Sequence, residues 1–353
     1  MENFINHEKK QEDVKKRLAG PDIIRTICCI FVVSAHFYLN VDFYKQPMVG
    51  VKMFIMCCVR WLCMTTIPMF MMLSGYFKCY KKCEKSHYMS LVPLFISYIV
   101  ISVLKMILYN RLYGKIYDVK GMIMNLGNYD IAWYMGMYLG LMILAPFLNK
   151  MWDSLTEKRE KLILLASLIF LVSVYPVFHF GAPSFFTGFY PVLYYFMGMF
   201  LRKENISVSR RPVMIALALI IPIIEGALSM LGARGGIFDW TVISTTDGGY
   251  GSIFVAADAF LIFVLLKDAE VNNTIIRKIT SSVSEVSFEI YLFAGAFDAI
   301  IYQYIKDSMP GNATDRFYMI FITVPLSFAA AWISSVVYKT IRKNLLHLLH
   351  FLL

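Results

Sequence analysis

The sequence predicts an all-α, polytopic integral membrane bundle of about ten transmembrane helices with both termini in the cytoplasm. Three observations carry this. First, 58% of the 353 residues are hydrophobic and the mean hydropathy is +0.60. Second, only 16% are charged, too few to cover the surface of a soluble domain this size. A bilayer removes that requirement by solvating apolar faces directly. Third, the apolar residues fall in runs of about 20, the length that crosses the hydrocarbon.

The runs place helices at 21–42, 51–75, 89–109, 131–149, 162–180, 185–201, 212–231, 250–266, 284–305 and 317–338. The fifth and sixth are separated only by the turn 181–184. Lys and Arg between the runs give the orientation, because cytoplasmic segments collect positive charge. With the N-terminus inside, 23 of the 34 basic residues fall on the cytoplasmic side, eight on the other, and three within helices. An even number of spans returns Lys339, Arg342 and Lys343 to the same side. The chain thus divides into a cytoplasmic tail (1–17), a membrane domain (18–340) and a second cytoplasmic tail (341–353). The polar N-terminal segment reads as a tail rather than a cleaved signal. The apolar end 344–353 is too short to span and reads as an interfacial helix. The net charge of +10 is explained by this topology, so no nucleic-acid partner is expected.

The seven cysteines do not suggest a disulfide framework. Cys28, Cys29, Cys57, Cys58 and Cys63 sit in apolar runs as small hydrophobes. Cys79, Cys83 and His87 recur at helical spacing, but structural zinc wants four ligands, so no metal is expected.

The informative residues are ionisable groups inside the spans, which are costly there and tend to face a cavity or a partner. The first helix carries Asp22, Arg25 and His36. At about 100° per residue, Arg25 and His36 lie within about 20° of one another, and Asp22 joins the same stripe. At helical rise they stand about 16 Å apart along the axis. Taken singly, His36 reads as a packing histidine and Arg25 as an interfacial arginine. Three ionisable groups on one stripe favour a proton acceptor and a phosphate ligand instead. Arg60 lies deep in the second span, and Ser74-Gly75 further along permits close helix approach. Trp133 and Tyr134 open the fourth span at aromatic-belt depth. Glu289 and Asp298, nine residues apart, point to opposite sides of the ninth. Asp258 and Lys105 are further intramembrane charges.

In order and spacing these segments resemble the acyltransferase 3 family of polytopic membrane acyltransferases, over about 17–340. The most specific piece is Arg25, ten residues and His36 within the segment opened by Arg17-Leu18-Ala19-Gly20-Pro21-Asp22. Arg60 leading into Ile67-Pro68 and Ser74-Gly75-Tyr76 follows, then Ala132-Trp133-Tyr134 through Pro146-Phe147-Leu148-Asn149 and Tyr190-Pro191 through Gly198. The resemblance implies an enzyme of the plasma membrane that moves an acyl group, usually acetyl from cytoplasmic acetyl-CoA, to a hydroxyl of an envelope glycan. It implies no bound cofactor: acyl-CoA is a substrate, and the partners are that donor, the glycan acceptor and the lipid bilayer. His36 would be the catalytic histidine and Arg25 its motif partner, with Asp22, Arg60, Ser74, Trp133, Tyr134 and Glu289 as candidate donor- or substrate-binding residues. Where many members of the family place a histidine after Tyr291-Leu292-Phe293, this chain has Ala294, and Glu289 or Asp298 is the available substitute. The competing class is a transporter or flippase for a glycan precursor, whose substrate path the intramembrane charges would line.

Overall fold

A computed structural model describes residues 17–114, 116–174, 184–204, 206, 210–239, 249–308 and 311–352, for the backbone alone at 184, 305–307 and 345–352. Residues 1–16 of the expected tail, the end of the fifth predicted helix and most of the turn after it lie outside these residues. Most of the described residues are helical, with one isolated β-bridge between Pro47 and Ile237.

The helices are α1 (Ala19–Asn40), α2 (Val51–Met64), α3 (Thr66–Lys78), α4 (Lys85–Met89), α5 (Val92–Tyr113), α6 (Val119–Asn128) and α7 (Trp133–Ser154). Then come α8 (Lys158–Ile169, continuing as a π-turn to Val174), α9 (Tyr190–Lys203), α10 (Arg211–Ala233), α11 (Ile253–Leu266), α12 (Thr274–Glu285), α13 (Ser287–Ser308) and α14 (Ile320–Leu352). Six segments are long and apolar enough to cross a membrane: Ala19–Lys45, Val51–Lys78, Lys85–Tyr113, Asp130–Ser154, Arg211–Ala233 and Phe317–Asn344. Over their described residues, the other four predicted spans fold as helices without meeting that standard. α11 is apolar but only 14 residues long, and Glu289 and Asp298 lower the hydropathy of α13.

The sequence pattern misses three helices and one break. The second predicted span is two helices, α2 and α3, interrupted at Thr65. Pro68 has no N–H to return to the carbonyl of Met64. The Thr65 N–H bonds back to Leu62 instead, in a tightened turn. α4, α6 and α12 are short, and α6 and α12 are also amphipathic, so they fall below a window tuned to 20 apolar residues. The apolar C-terminal segment is not a separate interfacial helix; its backbone continues α14 without a break to Leu352.

The tightest crossing is α3 on α9. Without a hydrophobic force between helices in lipid, close backbone approach supplies the attraction, and small residues permit it. A Cβ on Gly75 would stand 1.9 Å from the carbonyl oxygen of Tyr195, and one on Gly198 would stand 1.9 Å from that of Met72. Gly20 does the same at the start of α1, where a Cβ would meet the Leu266 and Lys267 carbonyls at 2.3 Å. Two large apolar cores result, beside a smaller one around Tyr98, Met135 and Leu292. One joins α3, α7, α9 and α11 around Met72, Trp152, Tyr195 and Phe263. The other joins α1, α2, α13 and α14 around Phe37, Trp61 and Tyr302. α1 contributes to both and runs between them.

Candidate active site

α1 carries its three polar residues on one stripe, and each end of that stripe has its own environment. At the first end Asp22, 5% exposed, accepts from Arg17 Nε at 2.5 Å and lies 3.7 Å from Arg25 Nη1. Arg25 donates to Ser284 Oγ of α12 at 3.0 Å and stacks over the Phe77 ring, 4.8 Å to its centroid. Arg17 also pairs with Glu285, whose second oxygen takes Lys339 Nζ at 2.8 Å. The guanidinium of Arg25 is thus fixed from three sides while part of it stays accessible.

A cavity of about 130 Å³ opens beside Arg25. Lys78 joins Arg25 as its second cation, and Ser74, Tyr134, Tyr138, Ser287 and Tyr291 give it hydroxyls. Ile67, Phe70, Leu73 and Val32 make the rest apolar. α3 therefore supplies one wall, and the glycine crossing with α9 sets where that wall stands. Tyr134 is held by its backbone N–H, which donates to Tyr291 Oη at 3.3 Å, and by edge contact with the same ring. Ser74 Oγ is bonded to the Phe70 carbonyl at 2.9 Å.

His36 lies one turn beyond Val32, about 6 Å further along the axis. It does not line the cavity. Its Nδ1 meets Asp298 Oδ2 of α13 at 2.5 Å, and Asp298 is 3% exposed. Its Nε2 makes no hydrogen bond among the described residues, and a quarter of the side chain is accessible. A carboxylate on Nδ1–H fixes the ring and leaves the Nε2 lone pair outward, the arrangement a general base requires. The Ala294 position is fully buried, one turn before Asp298. The acid that meets His36 thus comes from the helix where the family resemblance leads one to look for a histidine.

The other expected residues lie apart from this stripe. Arg60 is fully buried on α2, with its guanidinium 4.1 Å from the Trp61 ring centroid and 4.7 Å from that of Phe238, and Nε donates to Tyr44 Oη at 3.3 Å. Glu289 points away from α1, as the helical wheel requires, to Arg342 at 3.2 Å and Ser97 at 3.4 Å. Trp133 leans on Tyr250, half-exposed and outside the cavity. Lys105 donates to the Ile131 carbonyl at 3.2 Å, and His87 Nε2 bonds the Met142 carbonyl at 2.8 Å. Among the described residues no three His, Cys, Asp or Glu side chains gather as a metal site.

Sequence reasoning singled out Asp298 but did not pair it with His36, which is 262 positions away. Ser284 and Tyr138 carried no signal, because nothing local distinguishes a serine or tyrosine aimed at a cavity.

The chain matches the acyltransferase 3 family model, an acyltransferase domain, over residues 18–336. No curated protein matches it closely enough to add a relative. The multi-pass bundle with its arginine–histidine helix belongs to the acyltransferase 3 family, and the protein is a membrane acyltransferase.

Proposed function

We propose that the enzyme transfers acetyl from acetyl-CoA to a hydroxyl of an envelope glycan in the plasma membrane, with His36 as general base. The observation that carries this reading is the 2.5 Å contact between His36 Nδ1 and Asp298, with Nε2 left open. The excess of basic residues around the Arg25 end of α1 supports a cytoplasmic position for that end, the side from which acetyl-CoA would come. Both chain termini are then cytoplasmic. The acyl arm lies in the cavity between Arg25 and Val32, and the acceptor meets it at His36.

The chemistry follows. The acceptor hydroxyl oxygen attacks the thioester carbonyl carbon as its proton passes to His36 Nε2. The new C–O bond forms and the C–S bond breaks. The proton then passes from Nε2 to the departing CoA sulfur, leaving neutral histidine. Asp298 keeps Nδ1 protonated throughout and offsets the imidazolium charge, so it is a positioning residue. Base catalysis of this kind contributes roughly 10²–10⁴ in rate. Arg25, held by Asp22 and Ser284, steadies the phosphate-bearing end of the donor. No observation among the described residues favours the transporter alternative.

The test is label transfer from [acetyl-¹⁴C]acetyl-CoA to the envelope glycan fraction in membranes holding wild type or His36→Ala at matched expression. Label that appears with wild type and is lost in the variant supports the reading. Equal label from both removes His36 from the chemistry, and no label from either removes the donor or the acceptor.

A further inference from the structure

A second concavity lies beside the first end of α1, outside the cavity that takes the acyl arm. It has a volume of about 390 Å³ and is lined by Arg17, Asp22, Thr274, Arg277, Lys278 and Ser281 among others. Three cations and one carboxylate face it. Arg17 is already engaged by Asp22 and Glu285 and donates to the Ser281 carbonyl at 2.8 Å. Asp22 is neutralised in turn by Arg17 and Arg25. The side chains of Arg277 and Lys278 make no hydrogen bond or ion pair among the described residues, and both are exposed. The net effect is a positive groove whose two free cations sit in the first turns of α12. Asn273 caps that helix by accepting from Ile275 N at 2.9 Å and Ile276 N at 3.1 Å, and its positive dipole end adds to the field.

The groove adjoins the acyl cavity through paired neighbours, one lining each. Asp22 lines the groove, and its ion partner Arg25 lines the cavity. Across from them Ser281 lines the groove, Ser284 accepts from Arg25, and Ser287 lines the cavity. A ligand extending from one to the other would therefore carry an anionic group at the groove end and a long narrow arm at the cavity end.

We propose that this groove is the subsite for the terminal phosphomonoester of the donor, the 3′-phosphate on the ribose of CoA, with Arg277 and Lys278 as its ligands. The assignment rests on acyl-CoA being the donor. It makes the groove a specificity device: a thioester without the 3′-phosphate fills the cavity but leaves Arg277 and Lys278 unpaired. The competing occupant is an anionic lipid headgroup, because Ile275, Ile276 and Ile279 are exposed on α12 and suit a helix lying in the headgroup layer. The adjacency to the acyl cavity, across the Asp22–Arg25 pair, favours the nucleotide.

The experiment measures binding of CoA and of dephospho-CoA to the purified full chain in neutral-detergent micelles, for wild type, Arg277→Gln/Lys278→Gln and the control Lys120→Gln. Wild type and the control are expected to hold CoA about tenfold more tightly than dephospho-CoA, as one charged contact requires. In the double variant that ratio falls to near one while dephospho-CoA still binds. Both side chains are exposed, so an unchanged melting temperature verifies the fold. Equal affinities in wild type, or a preference that survives the double substitution, overturn the proposal. If the preference survives and the variant instead loses binding to phosphatidylglycerol vesicles, the groove is a lipid site. If wild type binds neither nucleotide, the donor assignment itself falls, a result distinct from loss of discrimination alone.

Discussion

The two ends of α1 solve the cost of buried charge in opposite ways. At the Arg25 end charge is shared among many partners: Arg17, Asp22, Arg25, Ser284, Glu285 and Lys339 form one network open to a cavity on one side and a groove on the other. At the His36 end a single carboxylate meets a single imidazole, with Lys105 the further charge near that carboxylate, and the remaining Asp298 oxygen, Oδ1, has no hydrogen bond among the described residues. A network of cations is built to hold an anion that comes and goes. A lone pair of groups is built to fix one proton. On the proposed function, binding falls to one end and chemistry to the other, and the two ends become separable in kinetics.

The largest effect is expected at the closed end. Asp298→Asn presents an N–H to Nδ1, which forces the proton onto Nε2 and removes the base. Turnover should fall at least about 100-fold. The KM for acetyl-CoA should hold within about threefold, because nothing at the Arg25 end has moved. Initial-rate kinetics of label transfer check both. A variant that raises KM while keeping turnover would erase the distinction between the ends.

Next in size is the open end. Arg25→Gln removes the charge from the cavity mouth but keeps some of the volume. The KM for acetyl-CoA is expected to rise about tenfold, close to one charge-assisted contact, with turnover changed much less. The same kinetics measure it. A collapse of turnover with unchanged KM would place Arg25 in the chemical step and merge the two ends.

How much of this contrast could be read from the chain depends on sequence distance. The Arg25–His36 stripe is legible because both residues sit on one helix, where 3.6 residues per turn fixes their relation. The opposed directions of Glu289 and Asp298 are legible for the same reason, and the two do go to different helices. The pairing of His36 with Asp298 is not legible, because it depends on how α1 and α13 cross and no local rule sets that. The amphipathic α12, which supplies Ser284 and one wall of the groove, escapes a hydropathy window because half its surface is polar. Arg60 shows the limit from the other side. A deep arginine is conspicuous in the sequence, yet its neighbours are the rings of Trp61 and Phe238, which give it a packing environment unlike that of Arg25.

A more distant change sharpens the comparison further. Gly198→Ala puts a methyl against the Met72 carbonyl, where a Cβ would stand 1.9 Å away. Overpacking of this kind costs about 1–3 kcal/mol, so the melting temperature in detergent should drop by several degrees. α9 must move off α3, and α3 carries Ile67, Phe70, Leu73, Ser74 and Phe77 into the cavity wall. At a temperature where the variant is folded, donor KM should therefore rise about threefold while turnover, set at the other end of α1, stays near wild type. Equal damage to both constants would mean that the α3 wall also positions His36.

The smallest effect tests the finest part of the contrast. Ser284→Ala removes the 3.0 Å bond to Arg25 and leaves the ion pair with Asp22 and the contact with Phe77 in place. A neutral acceptor lost from a cation that keeps its other partners should cost about 0.5–1 kcal/mol, a two- to fivefold rise in donor KM. In a network, one deletion is cushioned by the members that remain; at His36 there is no second partner to do this. The paired measurement is thus the ratio of the two deletions, Ser284→Ala against Asp298→Ala. Distributed charge at one end and a single contact at the other predict that the second exceeds the first by more than tenfold, in turnover rather than in KM.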